Sequence, residues 1–439
     1  MENETEKKLL SGLNGPGVKA ALVGFLLLVL LIPIFMVQSL VGERSSRSQE
    51  VLSGISTTWG GAQEIAGPVL VLPYDHVVSR SSSGEEKLDR RHLILLADTL
   101  SVDGKVDVEK RAISIYETNV YTAHIKLQAT FKLPLLIDGT SPDHLKWEGL
   151  SVSLPLSDIQ GLQGNMEIIS GGKLLPIEPG TGAGLRAQGI HAALPDTLQG
   201  GDTFTVAMSF SLRGTGVLDI WPSGAKTDVT LASSWPSPGF QGRFSPISHK
   251  IDKDGFSAQW QTLRLAQGIG PVLFDGLPHG QAISVKFIEP VNTYSMTDRS
   301  AKYGSLFVLM TFAVLYLFEV ISGRRVHPVQ YLLTGLALCL FFMALLALSE
   351  HLAFGLAYSI SAIIVIAMVA AYGRSVMGSG TWTSGITLTQ VALFAYLYGV
   401  LKMEDFALLS GTALLFIALA AAMFLTRRVD WYKSGRGAG

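Results

Sequence analysis

The sequence predicts an α+β membrane protein: six transmembrane helices and a large, mostly β, sandwich-like extracytoplasmic domain between spans 1 and 2. Three observations predict it. Charged residues make up only 16% of the chain and hydrophobic residues 48%, against about 25% charged in ordinary soluble domains, and the deficit is concentrated in a few apolar runs. One run lies near the start and the others crowd the last third. The stretch between carries apolar residues at every second position, the period of a half-buried strand. With 34 Lys+Arg against 35 Asp+Glu, the chain also lacks the basic excess that a nucleic-acid partner would require.

The elements follow in order. Residues 1–17 form a polar tail, and AALVGFLLLVLLIPIFMVQSLV lies within a first span at 18–41. A helix needs about 20 apolar residues to cross roughly 30 Å of hydrocarbon. The run exceeds the apolar core of a signal peptide and is followed by GERSSRSQE rather than a small-residue cleavage pattern, so it reads as an uncleaved anchor. Pro33 is expected to kink it without breaking it. Five further runs occupy 301–321, 329–348, 352–372, 383–401 and 406–425, and a second tail occupies 426–439. Tyr303, Tyr331, Tyr372, Trp382, Trp431 and Tyr432 fall near span ends, where amphipathic rings favour the interface. Lys7, Lys8, Lys19, Arg324, Arg325, Arg374, Arg427, Arg428, Lys433 and Arg436 flank one side of this plan. The short loops on the other side carry only Lys402. The positive-inside rule then puts both termini in the cytoplasm and residues 42–300 outside.

Within 42–300, Ile125, Leu127, Ala129, Phe131 and Leu133 alternate with polar residues, and so do Phe204, Val206, Met208, Phe210 and Leu212. Shorter alternations occur around residues 152–156, 229–235, 256–260 and 283–287. VDGK, EPGTGAG, LQGGD, WPSGAK, WPSPGF and DKDG punctuate them as turns. One large sandwich or two smaller ones would accommodate such strands, and residues 51–67 leave room for a short helix.

Motifs for chemistry are sparse. EPGTGAG lacks the Gly-Lys-Ser/Thr of a phosphate loop and reads as a turn. The outer histidines show no zinc spacing, and neither G-x-S-x-G nor H-E-x-x-H occurs. The single cysteine, Cys339, cannot make an intrachain disulfide and sits in an apolar run. No catalytic, cofactor or metal residue is assigned. Asp298 and Arg299 at the start of span 2, and Glu350 and His351 in the SEH turn, are candidates for contacts between the outer domain and the membrane part. Glu319 is the ionised residue inside the last five spans, and an intramembrane acid is a functional candidate. Arg324 and Arg325 are its expected interfacial partners. Small residues in the third of those runs, Ala353, Ala357 and Ser361 on one row and Gly355 and Ser359 on another, let helices approach closely. Trp221 and Trp235, in the turns WPSGAK and WPSPGF, are candidate partner contacts.

Taken together, IEPGTG (177–182), SSWPSPGFQGRFSP (233–246), TDRSAKYG (297–304), LFEVISGRRVHPVQYLLTGLAL (317–338), LLALSEH (345–351) and FLTRRVDWY (424–432) resemble the CreD family of bacterial inner-membrane proteins. The likeness runs in order from about Val18 to Tyr432. It implies an inner-membrane protein linked to cell-envelope integrity and expressed under the CreBC two-component system. The family supplies no catalytic residue or cofactor to transfer. The expected function is non-enzymatic: the bilayer holds the spans, and the β domain binds an envelope component or a protein partner. The alternatives are a receptor-bearing subunit of a transport system and an envelope-modifying enzyme.

Overall fold

The computed structural model describes residues 16–80, 86–113, 116–137, 141–182, 185, 187–274, 276–278, 280–287, 293–322, 326–377, 380–402 and 407–427. The tail lysines Lys7 and Lys8, loop residues Arg324 and Arg325, and tail residues Arg428, Trp431, Tyr432, Lys433 and Arg436 lie outside them. The chain divides into two compact units. One is Met1–Ser48 with Val291–Gly439; the other is Gln49–Pro290.

The helices are α1 (Pro16–Trp59), the single turn α2 (Arg264–Gln267), α3 (Thr293–Lys302), α4 (Gly304–Ser322), α5 (Pro328–Ser349), α6 (Phe354–Met377), α7 (Gly380–Lys402) and α8 (Ala407–Thr426). Among the described residues, five stretches are long and apolar enough to cross a membrane: Ala21–Trp59, Ser295–Glu319, Pro328–Ser349, Phe354–Ser375 and Thr383–Lys402. That is five of the expected six; α8 is a 20-residue apolar helix within which the apolar stretch Leu409–Ala421 is shorter than those five.

α1 differs from expectation. The polar GERSSRSQE stretch and the anticipated short helix are both part of it, so it runs 44 residues, about 66 Å at 1.5 Å per residue. No Pro or Gly pair interrupts Glu43–Leu52, and i→i+4 bonding continues through charged residues that water can solvate. Along its apolar half, Leu30, Ile34, Val37 and Val41 are buried, one helical stripe, while Phe25, Leu28, Ile32, Phe35 and Met36 are exposed. Such a division suits a span with one face on other helices and one on lipid.

α5 is the most buried helix of its unit. His327 caps it: its Nδ1 accepts from Val329 N–H, Gln330 reaches back to the His327 N–H, and Pro328 supplies the fixed φ of the first turn. Tyr331, Leu338, Phe341 and Leu345 are wholly buried. A Cβ on Gly335 would meet Leu30 and Phe312, so the missing side chain lets α1, α4 and α5 converge. Ala357 and Ser361 of α6 are buried, whereas Ala353, just before the helix, and Ser359 are exposed; only the later part of the first small-residue row is packed. Tyr331 lies in the first turn of α5, near the span end as expected, and is packed among helices there.

The strands of the other unit are β1 (Gln63–Ile65), β2 (Val69–Arg80), β3 (Glu86–Leu95), β4 (Thr99–Ile113), β5 (Tyr116–Lys132), β6 (Ser151–Pro155), β7 (Leu162–Ser170), β8 (Lys173–Leu174), β9 (Glu178–Pro179), β10 (Gly189–Ala193), β11 (Thr203–Thr215), β12 (Val217–Ile220), β13 (Lys226–Ser233), β14 (Pro238–Gly242), β15 (Ser248–Asp252), β16 (Gly255–Leu263), β17 (Val272–Leu273) and β18 (Ile283–Phe287). They form three sheets: β1-β12-β18-β14, β17-β3-β2-β6-β10-β9 and β15-β16-β13-β4-β5-β11-β7-β8. The alternations at 125–133 and 204–212 fall on β5 and β11, which pair antiparallel from Thr203↔Lys132 to Thr215↔Val120. Ile125, Leu127, Phe131, Val206, Met208 and Leu212 point into one apolar core. That core also takes Leu70, Leu93 and Val152 from the second sheet and Leu218, Ile283 and Val285 from the first. Of EPGTGAG, residues 178–182 are described: they leave β9 beside β10, where His191 Nδ1 and Gly180 O are 2.9 Å apart.

Candidate functional site

The short four-stranded sheet receives the chain just after α1 and releases it just before α3. β1 pairs parallel with β12, with Gln63 opposite Leu218. β12 pairs antiparallel with β18, with Leu218 opposite Val285. β1 and β18 therefore run in opposite directions with one strand between them, about 10 Å apart at the usual strand spacing. Both chain connections leave the same end of this sheet. We call it the stem.

Polar contacts seat the end of α1 on β11 beside the stem. Ser56 Oγ lies 3.0 Å from Thr215 Oγ1. Gly60, at φ +117°, ends the helix where a Cβ would press on Arg213 O. The Gln63 amide is buried and donates to Arg213 O at 2.9 Å and Asp158 O at 3.1 Å. The Trp59 ring takes two guanidinium groups, Arg111 at 3.7 Å and Arg213 at 4.0 Å from its centroid. Two such groups cannot share one face at those distances, so the indole lies between them. On the exit side, Asn119 Nδ2 donates to Phe287 O at 3.1 Å and Gly216 O accepts from Phe287 N–H at 2.8 Å. Tyr121 Oη donates to Val217 O at 2.6 Å; burial raises its phenol well above the usual value, so it remains a neutral donor. Burial likewise raises the Asp219 carboxyl on β12, with Ser284 opposing through a hydrogen bond, and Asp219 Oδ1 is buried without a partner.

The second cluster lies in the helical unit. Glu319, near the end of α4, is 8% exposed. It accepts from Lys19 Nζ of α1, from Tyr331 Oη of α5 at 2.9 Å and from Val326 N–H at 3.2 Å. Tyr331 packs edge-on against Phe312. Three helices thus converge on one carboxylate. The expected partners Arg324 and Arg325 lie outside the described residues, and Lys19 was not foreseen because 300 residues separate it from Glu319.

The remaining candidates fall as follows. Asp298 pairs with Lys302 one turn on, at 2.6 Å, and Arg299 is half-buried beside it. Glu350 meets Arg44 of α1 at 3.7 Å, and His351 is exposed at the α5–α6 turn. Thr297 and Ser349 hydroxyls lie 3.4 Å apart. Trp221 is a correction. It is 1% exposed, in a small cluster with Val69, Val71, Ile94, Leu96 and Leu185, and so cannot serve as a surface contact. The WPSGAK turn folds inward because Trp221 N–H donates to Ile65 O, Ser223 Oγ to Pro68 O and Gln267 Nε2 to Pro222 O. Trp235 is half-buried against the main core and donates from Nε1 to Ser237 O at 3.2 Å.

One grouping escaped sequence reasoning because only strand register assembles it. On the outer face of the eight-stranded sheet, His124 Nδ1 is 2.8 Å from Ser211 Oγ and Nε2 is 3.6 Å from Asp107 Oδ2. His124 and Asp107 are each about half exposed to water, which leaves the row a solvated surface cluster. Among the described residues, no group of three or more His, Cys, Asp or Glu is gathered as a metal centre.

Comparison with known proteins bears on the whole chain. A family model described as inner membrane protein CreD matches residues 16–432. The inner membrane protein CreD of Escherichia coli (strain K12) is 34% identical over 411 residues, covering 92% of this chain and 91% of that one. Among solved structures, an M1 zinc metallopeptidase variant from Deinococcus radiodurans is 9% identical with a TM-score of 0.24, covering 48% of this chain and 54% of that one. The unsubstituted metallopeptidase is 10% identical with the same TM-score, covering 79% and 95%. Likeness at that level carries no argument about fold or activity.

Proposed function

The chain belongs to the CreD family of inner membrane proteins, and on that premise we propose that it is a non-enzymatic contributor to cell-envelope integrity. In this reading six spans, α8 among them, sit in the inner membrane with both termini cytoplasmic, as the basic residues favour. Residues 42–300 are periplasmic and fold face to face as a sandwich. The periplasmic unit binds an envelope component or a protein partner, with Trp235 among the contacts. Asp298, Arg299, Glu350 and His351 set the domain against the membrane, and expression falls under the CreBC system.

The observation that carries the reading is the stem. Two antiparallel strands one strand apart hold both connections of a 242-residue unit, Gln49–Pro290. Trp59 between two arginines and the Asn119–Phe287 bond fasten the two sides. Such a construction suits a tethered receptor that transmits position or force more than a freely tumbling domain. The test is a chain lacking residues 50–295 with its spans joined. Loss of the envelope phenotype with normal membrane insertion is expected; retained phenotype would refute the reading.

A further inference from the structure

The eight-stranded sheet turns one face to the core and the other outward. On the outward face, β11 carries Thr205, Ala207, Ser209 and Ser211, all small. Longer side chains flank this row on β5 and β7, and a trough of about 290 Å³ runs between them. Its lining includes Ser101, Asp103, Lys126, Gln128, Glu167 and Ser209. The β7 wall is irregular. Ser209 pairs with Glu167 but Ser211 pairs with Gln163, so the residues around Gly164, at φ +67°, leave the ladder. Bulges of this kind re-aim side chains and recur beside functional sites.

Register places the charges. Asp103 stands opposite Lys126, Lys126 opposite Ser209 and Ser209 opposite Glu167. One row across the sheet therefore reads acid, base, hydroxyl, acid. Facing opposite charges on neighbouring strands ordinarily pair, as Asp75 of β2 and Arg90 of β3 do. Lys126, Asp103 and Glu167 form no ion pair among the described residues, although all three are exposed at one concavity. The three charges are thus neutralised by no described side chain and stand open to solvent or to a ligand.

We propose that this trough binds a short extended peptide with a free amine and a free carboxylate, the carboxylate on Lys126 and the amine on Glu167. The proposal rests on the reading that the β unit engages an envelope component. Lys126 and Glu167 lie two strands apart, about 10 Å, which is the span of roughly three extended residues. A neutral glycan would compensate neither Lys126 nor Glu167, and the lining offers it no aromatic ring.

The test titrates detergent-solubilised full chain with the tripeptide Ala-Gly-Ala, with its N-acetyl and C-amide forms, and with maltotriose. The free tripeptide is expected to bind, and capping either end to weaken binding at least about tenfold, the worth of one charge-assisted hydrogen bond. Lys126→Glu and Glu167→Lys should each do the same, and Ser209→Trp, which fills the trough, should abolish binding while all three variants melt like the parent chain. Equal binding of free and capped peptides, preference for maltotriose, or wild-type affinity in the charge variants would overturn the assignment. If the variants still crosslink to an envelope component in native membranes, the trough assignment fails and the envelope-binding reading stands.

Discussion

Replacing Glu319 with alanine removes the point where α1, α4 and α5 meet. The variant leaves the Lys19 ammonium, 22% exposed, without its counter-ion, and it strips an acceptor from the buried Tyr331 hydroxyl and the Val326 N–H. Breaking one side of a buried ion pair costs about 3–5 kcal/mol. Lys19 retains some solvent, so we take the lower end, about 3 kcal/mol, with the orphaned phenol included. For a unit of roughly 200 residues, each kcal/mol is about 2–4 °C of melting temperature, so Glu319→Ala should melt about 6–12 °C lower. The protein carries its own reporter: Cys339 is the single cysteine and is buried in α5, so a thiol-reactive fluorophore reads unfolding of the helical unit alone. The charge-free double variant Lys19→Met/Glu319→Leu should regain most of the loss, since an apolar pair avoids the desolvation cost of the ions. A Glu319→Ala melt within about 1 °C of the parent, or a double variant no better than the single one, would refute the claim that the carboxylate pins three helices.

Two further outcomes follow from the stem. Trp59→Ala should destabilise the β unit by about 2 kcal/mol, two guanidinium stacks at roughly 1 kcal/mol each, and should speed proteolysis between Val51 and Gly61; unchanged cleavage would remove the clasp role. Burial raises the Asp219 carboxyl in the fold, so its contribution is full below the unfolded value near 3.9 and is lost as pH rises through the folded value. Asp219→Asn, neutral throughout, should therefore be more stable than the parent at about pH 7, with the difference closing toward about pH 4; tryptophan-fluorescence unfolding at both pH values checks the sign.

The separation into apolar helices and pleated strands was legible because each rests on local periodicity. Ile125 to Leu133 and Phe204 to Leu212 alternate strictly, and the two segments proved to be neighbours in the largest sheet. What local pattern could not show is which distant groups meet. Glu319 was visible as an intramembrane acid, but Lys19 lay in a stretch that reads only as an N-terminal flank. Trp221 follows a strand and precedes Pro222 in a breaker-rich turn, which looks like a surface tip; its burial depends on Ile65, Pro68 and Gln267, all from other segments. The extension of α1 to Trp59 was missed for the opposite reason. Its serines and charges are loop-like by composition, and no local breaker marks where the helix should stop.

The polar residues of the helical unit bear on whether it conducts or holds. Lipid is as apolar as leucine, so helices in a bilayer associate through close packing and hydrogen bonds rather than through the hydrophobic effect. Gln390 Nε2 donates to Thr311 Oγ1 at 3.1 Å, joining α7 to α4. Tyr358 Oη donates to Phe394 O at 2.7 Å, joining α6 to α7. Glu319 joins α4 to α1 and α5, and Gly335 brings Leu30 and Phe312 together. Each of these groups links two or more helices, and a coupled transporter would instead need acids or broken helices left accessible near the midplane. Polar groups committed to neighbouring helices resist the rearrangement that alternating access demands. Among the described residues, the helical unit is thus cross-linked by its own side chains in a way that disfavours large helix movements.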